Sequence, residues 1–200
     1  MSPALPVLSR NAAGDVTLPL VDQIVRRGLE QARESRRVAI VREDGVFVRR
    51  AEPSDAREIH ELLERYVAPG MLIPRTLKQV YRSIRDFVVV IDRGEIIGCG
   101  ALRIYTAELA EVGALAVRGE YRGTGLGRRV VETLVHDARA LGLHRVFALT
   151  MEERFFHRCG FETTLISEFP EKVAGDCASC ARRESCNEIA VHVMLQSERN

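Results

Sequence analysis

The sequence predicts an α/β fold, and three observations carry the prediction. A short apolar run, Val112 to Val117, is followed by a glycine-rich turn and then by an amphipathic stretch beginning near Gly125. From about Val46 onwards, apolar runs of strand length alternate with stretches of helical period. The chain has 200 residues and 46% hydrophobic content, enough for a sizeable core in one domain plus an extension.

Residues 1–45 read as that extension. The stretch to Leu20 mixes Pro, Ser, Asn and Gly without periodicity and reads as a loose arm. Leu20 to Glu34 gathers Leu20, Ile24, Val25 and Leu29 on one helical side. Val38 to Val41 and Val46 to Val48 flank Glu43-Asp44-Gly45, a hairpin signal.

The domain proper spans residues 46–200. Pro53-Ser54-Asp55 opens a helix to about Val67, with Asp55 and Glu58 at capping-box spacing, and Pro69-Gly70 breaks it. Thr76 and Gln79 make a second capping box, and Leu77, Val80, Tyr81 and Ile84 form the apolar side of the next helix. Phe87 to Ile91 and Ile96 to Ile104 are strands around the turn Asp92-Arg93-Gly94-Glu95. Glu111 to Val117 is a buried strand. Leu126, Val130, Leu134, Ala138 and Leu141 then recur at helical spacing, with Gly142 as the C-terminal stop. Val146 to Thr150 is a further strand, Glu152 to Cys159 a short helix and Ile189 to Leu195 a closing strand.

Charge and composition exclude several functions. With 29 Lys and Arg against 28 Asp and Glu, the net charge of +1 recruits neither nucleic acid nor an anionic membrane. No apolar run reaches the length of a membrane span, and Met1 to Leu20 lacks the form of a signal peptide. Five cysteines without a secretory signal point to a reducing compartment, so the cytoplasm is the expected location.

Arg122-Gly123-Thr124-Gly125-Leu126-Gly127 is the most telling motif. Its amides, free of large side chains, converge ahead of a helix N-terminus, where partial positive charge collects and phosphate binds. Neither the dinucleotide fingerprint Gly-x-Gly-x-x-Gly nor the Gly-Lys-Ser/Thr ending of a P-loop is present. The simpler alternative is that the glycines only turn a strand into a helix.

The spacing Arg122-x-x-Gly125-x-Gly127 resembles the pyrophosphate loop of the GCN5-related N-acetyltransferase superfamily, and the element order from about Val46 matches that superfamily. Several segments further resemble the short, kinase-less form of N-acetylglutamate synthase. They are Met71 to Thr76, Arg82 to Phe87, Gly98 to Leu102, Phe155-Phe156 ahead of Gly160-Phe161, Asp176 to Cys180 and Cys186 to Ala190.

The resemblance implies a mixed, mostly antiparallel sheet that splays at an acetyl-CoA site. Its backbone at Leu115, Ala116 and Val117 would pair with the pantetheine arm, and the Leu115 amide would polarise the thioester carbonyl. Arg122, Gly123, Thr124, Gly125, Leu126, Gly127 and Arg128 would hold the diphosphate, with Phe156 beside them. L-Glutamate is the implied acceptor, held by Arg75, a backbone contact at Leu72, and Cys99, in a direct attack without a covalent enzyme intermediate.

A free α-amine is mostly protonated at neutral pH and needs a base; the resemblance implies Glu111, which starts the central strand in the register where the histone-modifying branch of the superfamily places one. Its bland reading is a solvated residue at a strand start. Many superfamily members carry a tyrosine as general acid where this chain has Phe156, so the thiolate leaves unassisted or is protonated through solvent. Lys78, Arg82 and Arg85 read as solvated charge, and the five histidines have no evident partners. Cys177, Cys180 and Cys186 have spacing that zinc can use, but a fourth ligand would have to come from His157, Cys159 or His192. Reduced structural thiols are the preferred reading, with no metal. Dimers are common in the superfamily, so the resemblance leaves a homodimer open, while the residues themselves do not specify an assembly. Two alternatives stay open: an acetyltransferase for another small amine or a protein N-terminus, and a non-catalytic acetyl-CoA-binding module.

Overall fold

The computed structural model describes residues 9–10, 16–17 and 45–195. Contacts divide the chain into two units, residues 1–38 and 39–200. In the first, strands β1 (Ser9–Arg10) and β2 (Val16–Thr17) pair antiparallel. The helix expected over Leu20 to Glu34 and the strand expected over Val38 to Val41 lie outside the described residues.

The second unit is built on one seven-stranded sheet. Its strands are β3 (Phe47–Arg50), β4 (Phe87–Asp92), β5 (Glu95–Ile104), β6 (Leu109–Val117), β7 (Arg145–Thr150), β8 (Glu162–Thr164) and β9 (Ile189–Met194). They lie in the order β3-β4-β5-β6-β7-β9-β8, antiparallel except for the β6–β7 pair. The β4–β5 turn places Arg93 at φ 50° and Gly94 at φ 85°, the left-handed pair that matches strand twist in a tight hairpin.

Helices α1 (Ala56–Glu64) and α2 (Leu77–Arg82) cover one face, where Ile59, Leu62, Val80 and Phe87 pack with Val89, Ile91 and Ile96. Helix α3 (Leu126–Ala140) covers the other, where Val130, Val131 and Leu134 meet Val88, Val90, Val112 and Val146. A third cluster stacks Phe169 on Phe147 with ring centroids 4.1 Å apart. It seats helix α5 (Pro170–Gly175) beside the sheet, while helix α4 (Glu153–Arg158) follows β7.

Three local expectations are corrected. The capping box at α1 pairs Glu52 with Asp55, whose carboxylate accepts from the Glu52 amide at 2.7 Å. Glu58 instead reaches across to accept from the Ile96 amide at 2.7 Å and from Arg118 at 3.2 Å. Tyr81 and Leu141, expected on apolar sides, are 48% and 56% exposed: Tyr81 lies in the last turn of α2, and Leu141 is the C-cap of α3. Strand β8 and helix α5 join the expected succession as additions. The Thr76–Gln79 capping box forms as read from the sequence.

Candidate active site

A β-bulge creates the site. Cys99 pairs with Ala116 and Ala101 with Gly113, so β6 carries one residue more than β5 between those points. Ala114 absorbs the extra residue at φ 49°, a conformation unusual for any residue but glycine. Alternation therefore reverses. Ala110 and Val112 face α3 before the bulge, whereas Ala114 and Ala116 face α1 and α2 after it, and Leu115 and Val117 pack on the α3 side. Opposite the bulge sits Gly100, where a β-carbon would come within 2.6 Å of Val130 Cγ1.

Parallel pairing of β6 with β7 stops early. Leu109, Ala110 and Glu111 pair with Arg145, Val146 and Phe147, and beyond them the two strands separate. Ala148 to Thr150 turn their other edge to β9. The gap between Val112–Val117 and Leu149–Thr150 is a cavity of about 540 Å³. Both walls offer strand backbone that the sheet does not use.

The glycine loop forms the outer end of this cleft. Gly123 and Gly125 sit at φ 79° and 86°, with no atom within 4 Å of where a side chain would begin. The amides of Gly123, Gly125, Leu126, Gly127 and Arg128 donate to no backbone acceptor among the described residues, and all five precede the hydrogen-bonded body of α3. They form a cradle of the kind a diphosphate fits. Arg122 stands over the Tyr66 ring at 5.2 Å, and the Tyr66 hydroxyl donates to the Val117 carbonyl.

A second cavity of about 280 Å³ opens on the other side of the bulge, lined by Arg75, Glu111, Lys172 and Arg183 among others. Glu111 is buried and accepts from Lys172 Nζ at 2.8 Å and from the Tyr105 hydroxyl at 2.9 Å. Lys172 also reaches Asp176 at 3.1 Å, and Asp176 accepts from Arg103 at 2.5 Å. Burial works against the Lys172 ammonium, but Glu111 and Asp176 outweigh it and hold its pKa above the ordinary value. Burial likewise pushes the Asp176 carboxyl up, yet the bonds from Tyr105 and Lys172 bring it below the usual range. Tyr105 is pushed up by burial and by its two carboxylate neighbours. In contrast, the guanidinium groups of Arg75 and Arg183 make no hydrogen bond or ion pair among the described residues, although the Arg183 amide donates to the Cys180 carbonyl at 3.1 Å.

These features have counterparts in known proteins. A family model described as the acetyltransferase (GNAT) family matches residues 55–161. The chain belongs to that family. An uncharacterized N-acetyltransferase of Chlorobaculum tepidum is 38% identical over 72% of this chain and 93% of that protein. The amino-acid acetyltransferase of Mycobacterium tuberculosis is 38% identical over 57% of this chain and 67% of that protein. Among solved structures, N-acetylglutamate synthase from Neisseria gonorrhoeae, complexed with coenzyme A and N-acetyl-glutamate, superimposes with a TM-score of 0.70 at 28% identity. That match covers 78% of this chain and 36% of the synthase.

In this GNAT-family chain the cradle and the free strand edges of the splayed cleft have the form an elongated nucleotide thioester would fit. Leu115, Ala116, Val117, Arg122, Gly123, Gly125, Leu126, Gly127, Arg128 and Phe156 line the first cavity. Thr124 does not; its hydroxyl donates to the Tyr121 carbonyl at 2.6 Å and closes the loop from behind. Leu72 and Arg75 line the second cavity, as does Glu111, which lies inside its strand rather than at a solvated start.

Cys99, expected to line the acceptor site, does not. Its side chain is fully buried in the α1–α2 core, and its thiol lies 3.7 Å from the Ala114 carbonyl, bracing the bulge. Burial pushes that thiol up to about 12, so it is no nucleophile at neutral pH. Lys172 and Arg183 carry no signal in the sequence, and Asp176 and Glu188 figure there only within segments of family resemblance, with no role; all four come from the segment after Phe169, where only the Phe169-Pro170 pair, with Pro at the first helical position, announces α5. Among the described residues no three His, Cys, Asp or Glu are arranged to hold a metal ion, and no helix is long and apolar enough to cross a membrane.

Proposed function

We propose that this chain transfers the acetyl group of acetyl-CoA to the α-amine of L-glutamate, giving N-acetylglutamate as the first step of arginine biosynthesis. One observation carries the reading: a cleft for the acyl donor adjoins a cavity in which the guanidinium groups of Arg75 and Arg183 make no salt bridge with a described residue. Guanidinium groups pair well with carboxylates, and glutamate brings two. The names of the relatives support the same acceptor class.

Acetyl-CoA supplies the acetyl group, whose carbonyl carbon bonds to the amine nitrogen as the carbon–sulfur bond breaks. Glu111 is the proposed acceptor of the amine's proton, its carboxylate oriented by Lys172 and Tyr105. The Leu115 amide, re-aimed by the bulge, is the proposed donor to the thioester oxygen. Phe156 has no proton to give, so the thiolate is protonated from solvent.

Screening free amino acids with acetyl-CoA for release of the CoA thiol, with and without arginine, tests the proposal. L-Glutamate should be the preferred acceptor. Preference for a neutral or basic amine would overturn it, and saturable acetyl-CoA binding without turnover on any acceptor would favour a silent binding module.

A further inference from the structure

Five residues line both cavities, and only one of them can carry a charge. Leu72, Gly113, Ala114 and Leu149 frame the throat between the donor cleft and the acceptor cavity, and Glu188 is the fifth. An amine held in one cavity must meet the acetyl group at this throat, so an ionisable group there acts on the amine itself.

The other carboxylates of the acceptor cavity already have a cationic partner in the protein. Glu111 accepts from Lys172 and Tyr105, and Asp176 from Arg103, Lys172 and Tyr105. Glu188 is half-buried, and its recorded contact is the Cys186 thiol at 3.9 Å, a weak donor. It makes no ion pair among the described residues. A carboxylate withdrawn from water beside a cavity is best satisfied by a cation, and an α-amino acid arrives carrying one.

We propose that Glu188 binds the α-ammonium of the acceptor and holds it at the throat. The inference rests on the reading that the acceptor is glutamate. Arg75 and Arg183 for the carboxylates and Glu188 for the ammonium then give three points of attachment, which fix orientation as well as identity. Acetylation replaces the ammonium with a neutral amide, so the product loses the contact that favoured the substrate. Glu188 therefore discriminates substrate from product at the place where one becomes the other.

The test is calorimetric titration of CoA-loaded protein, wild type and Glu188→Gln, with L-glutamate and with N-acetyl-L-glutamate. Removing a charge-assisted contact should weaken L-glutamate on the order of 10- to 100-fold, while N-acetyl-L-glutamate shifts by less than about threefold. In turnover, the KM for glutamate should rise with little change in the KM for acetyl-CoA, and Glu188→Asp should recover part of the loss. Equal weakening of both ligands, or of neither, would overturn the assignment. A wild-type protein that binds neither ligand would instead overturn the acceptor reading on which the assignment rests.

Discussion

The Glu111 carboxylate lies 2.8 Å from the Lys172 ammonium, although 61 residues separate them in the chain. Strand β6 delivers one partner and the short helix α5 the other, so the second cavity is complete only when the segment after Phe169 is docked. Both side chains are largely buried, which makes each the other's main compensation for lost water.

Lys172→Met should therefore destabilise the fold by about 3 kcal/mol at neutral pH, because it strands a buried carboxylate. Most of the loss should disappear when Glu111→Gln is added, since the stranded charge is then gone. Urea denaturation of the two single variants and the double variant reads this directly. Additive losses would show that the pair is not coupled.

The same cluster sets a pH dependence. Asp176 has a folded pKa below its ordinary 3.8, so its contribution to stability is present above that value and is lost as pH falls through it towards the folded pKa. Thermal melting between about pH 5 and about pH 3 should fall less steeply for Asp176→Asn than for wild type. Lys172 has a folded pKa above its ordinary 10.5, so its share is intact below that value and fades only as pH rises beyond it. Parallel acid profiles for the two proteins would contradict the assignment.

Two glycines should separate folding from binding. Gly100→Ala drives a β-carbon to 2.6 Å from Val130 Cγ1 and 3.2 Å from Leu134 Cδ1, and should cost about 1–3 kcal/mol of stability. Gly125→Ala meets open space but holds φ at 86°, so its stability cost should be about 1 kcal/mol. Its larger effect should be a raised KM for acetyl-CoA, because the new methyl enters the cradle. Melting temperature and steady-state kinetics on both variants distinguish the two outcomes.

Cysteine reactivity should divide by location. Iodoacetamide on the folded protein should modify exposed Cys186 first and leave Cys99 untouched until denaturant is added, as read by mass spectrometry of peptides. Cys99→Ala should lower stability while retaining turnover. Rapid labelling of Cys99 in the native state would contradict its burial.

The donor side of the site was legible because it is local. Arg122 to Gly127 stands between a strand and a helix whose periods are both plain in the sequence, and a phosphate cradle needs little else. The acceptor side was not, for identifiable reasons. Ala114 takes a left-handed conformation without glycine to advertise it, so the reversal of alternation in β6 is invisible from residue types. Cys99 shares a face with Ala101 by plain alternation in β5, and the bulge turns Ala114 and Ala116 to the same face, so the thiol lies in the core instead of facing a ligand. Helix α5 has six residues, too few for a period, and its Lys172 matters only through a partner in another element. Glu58 had the spacing of a cap but found a distant strand amide, a choice that tertiary packing makes and local sequence does not.

The three-pair seam between β6 and β7 leaves a sheet with a raw margin in its middle, not only at its rims. Rim strands can be guarded by charge or by a covering loop, but an inner margin used for catalysis has to stay bare. Such a margin has the form of a slot for extended backbone, and a ligand seated along it would stand in the way of self-association.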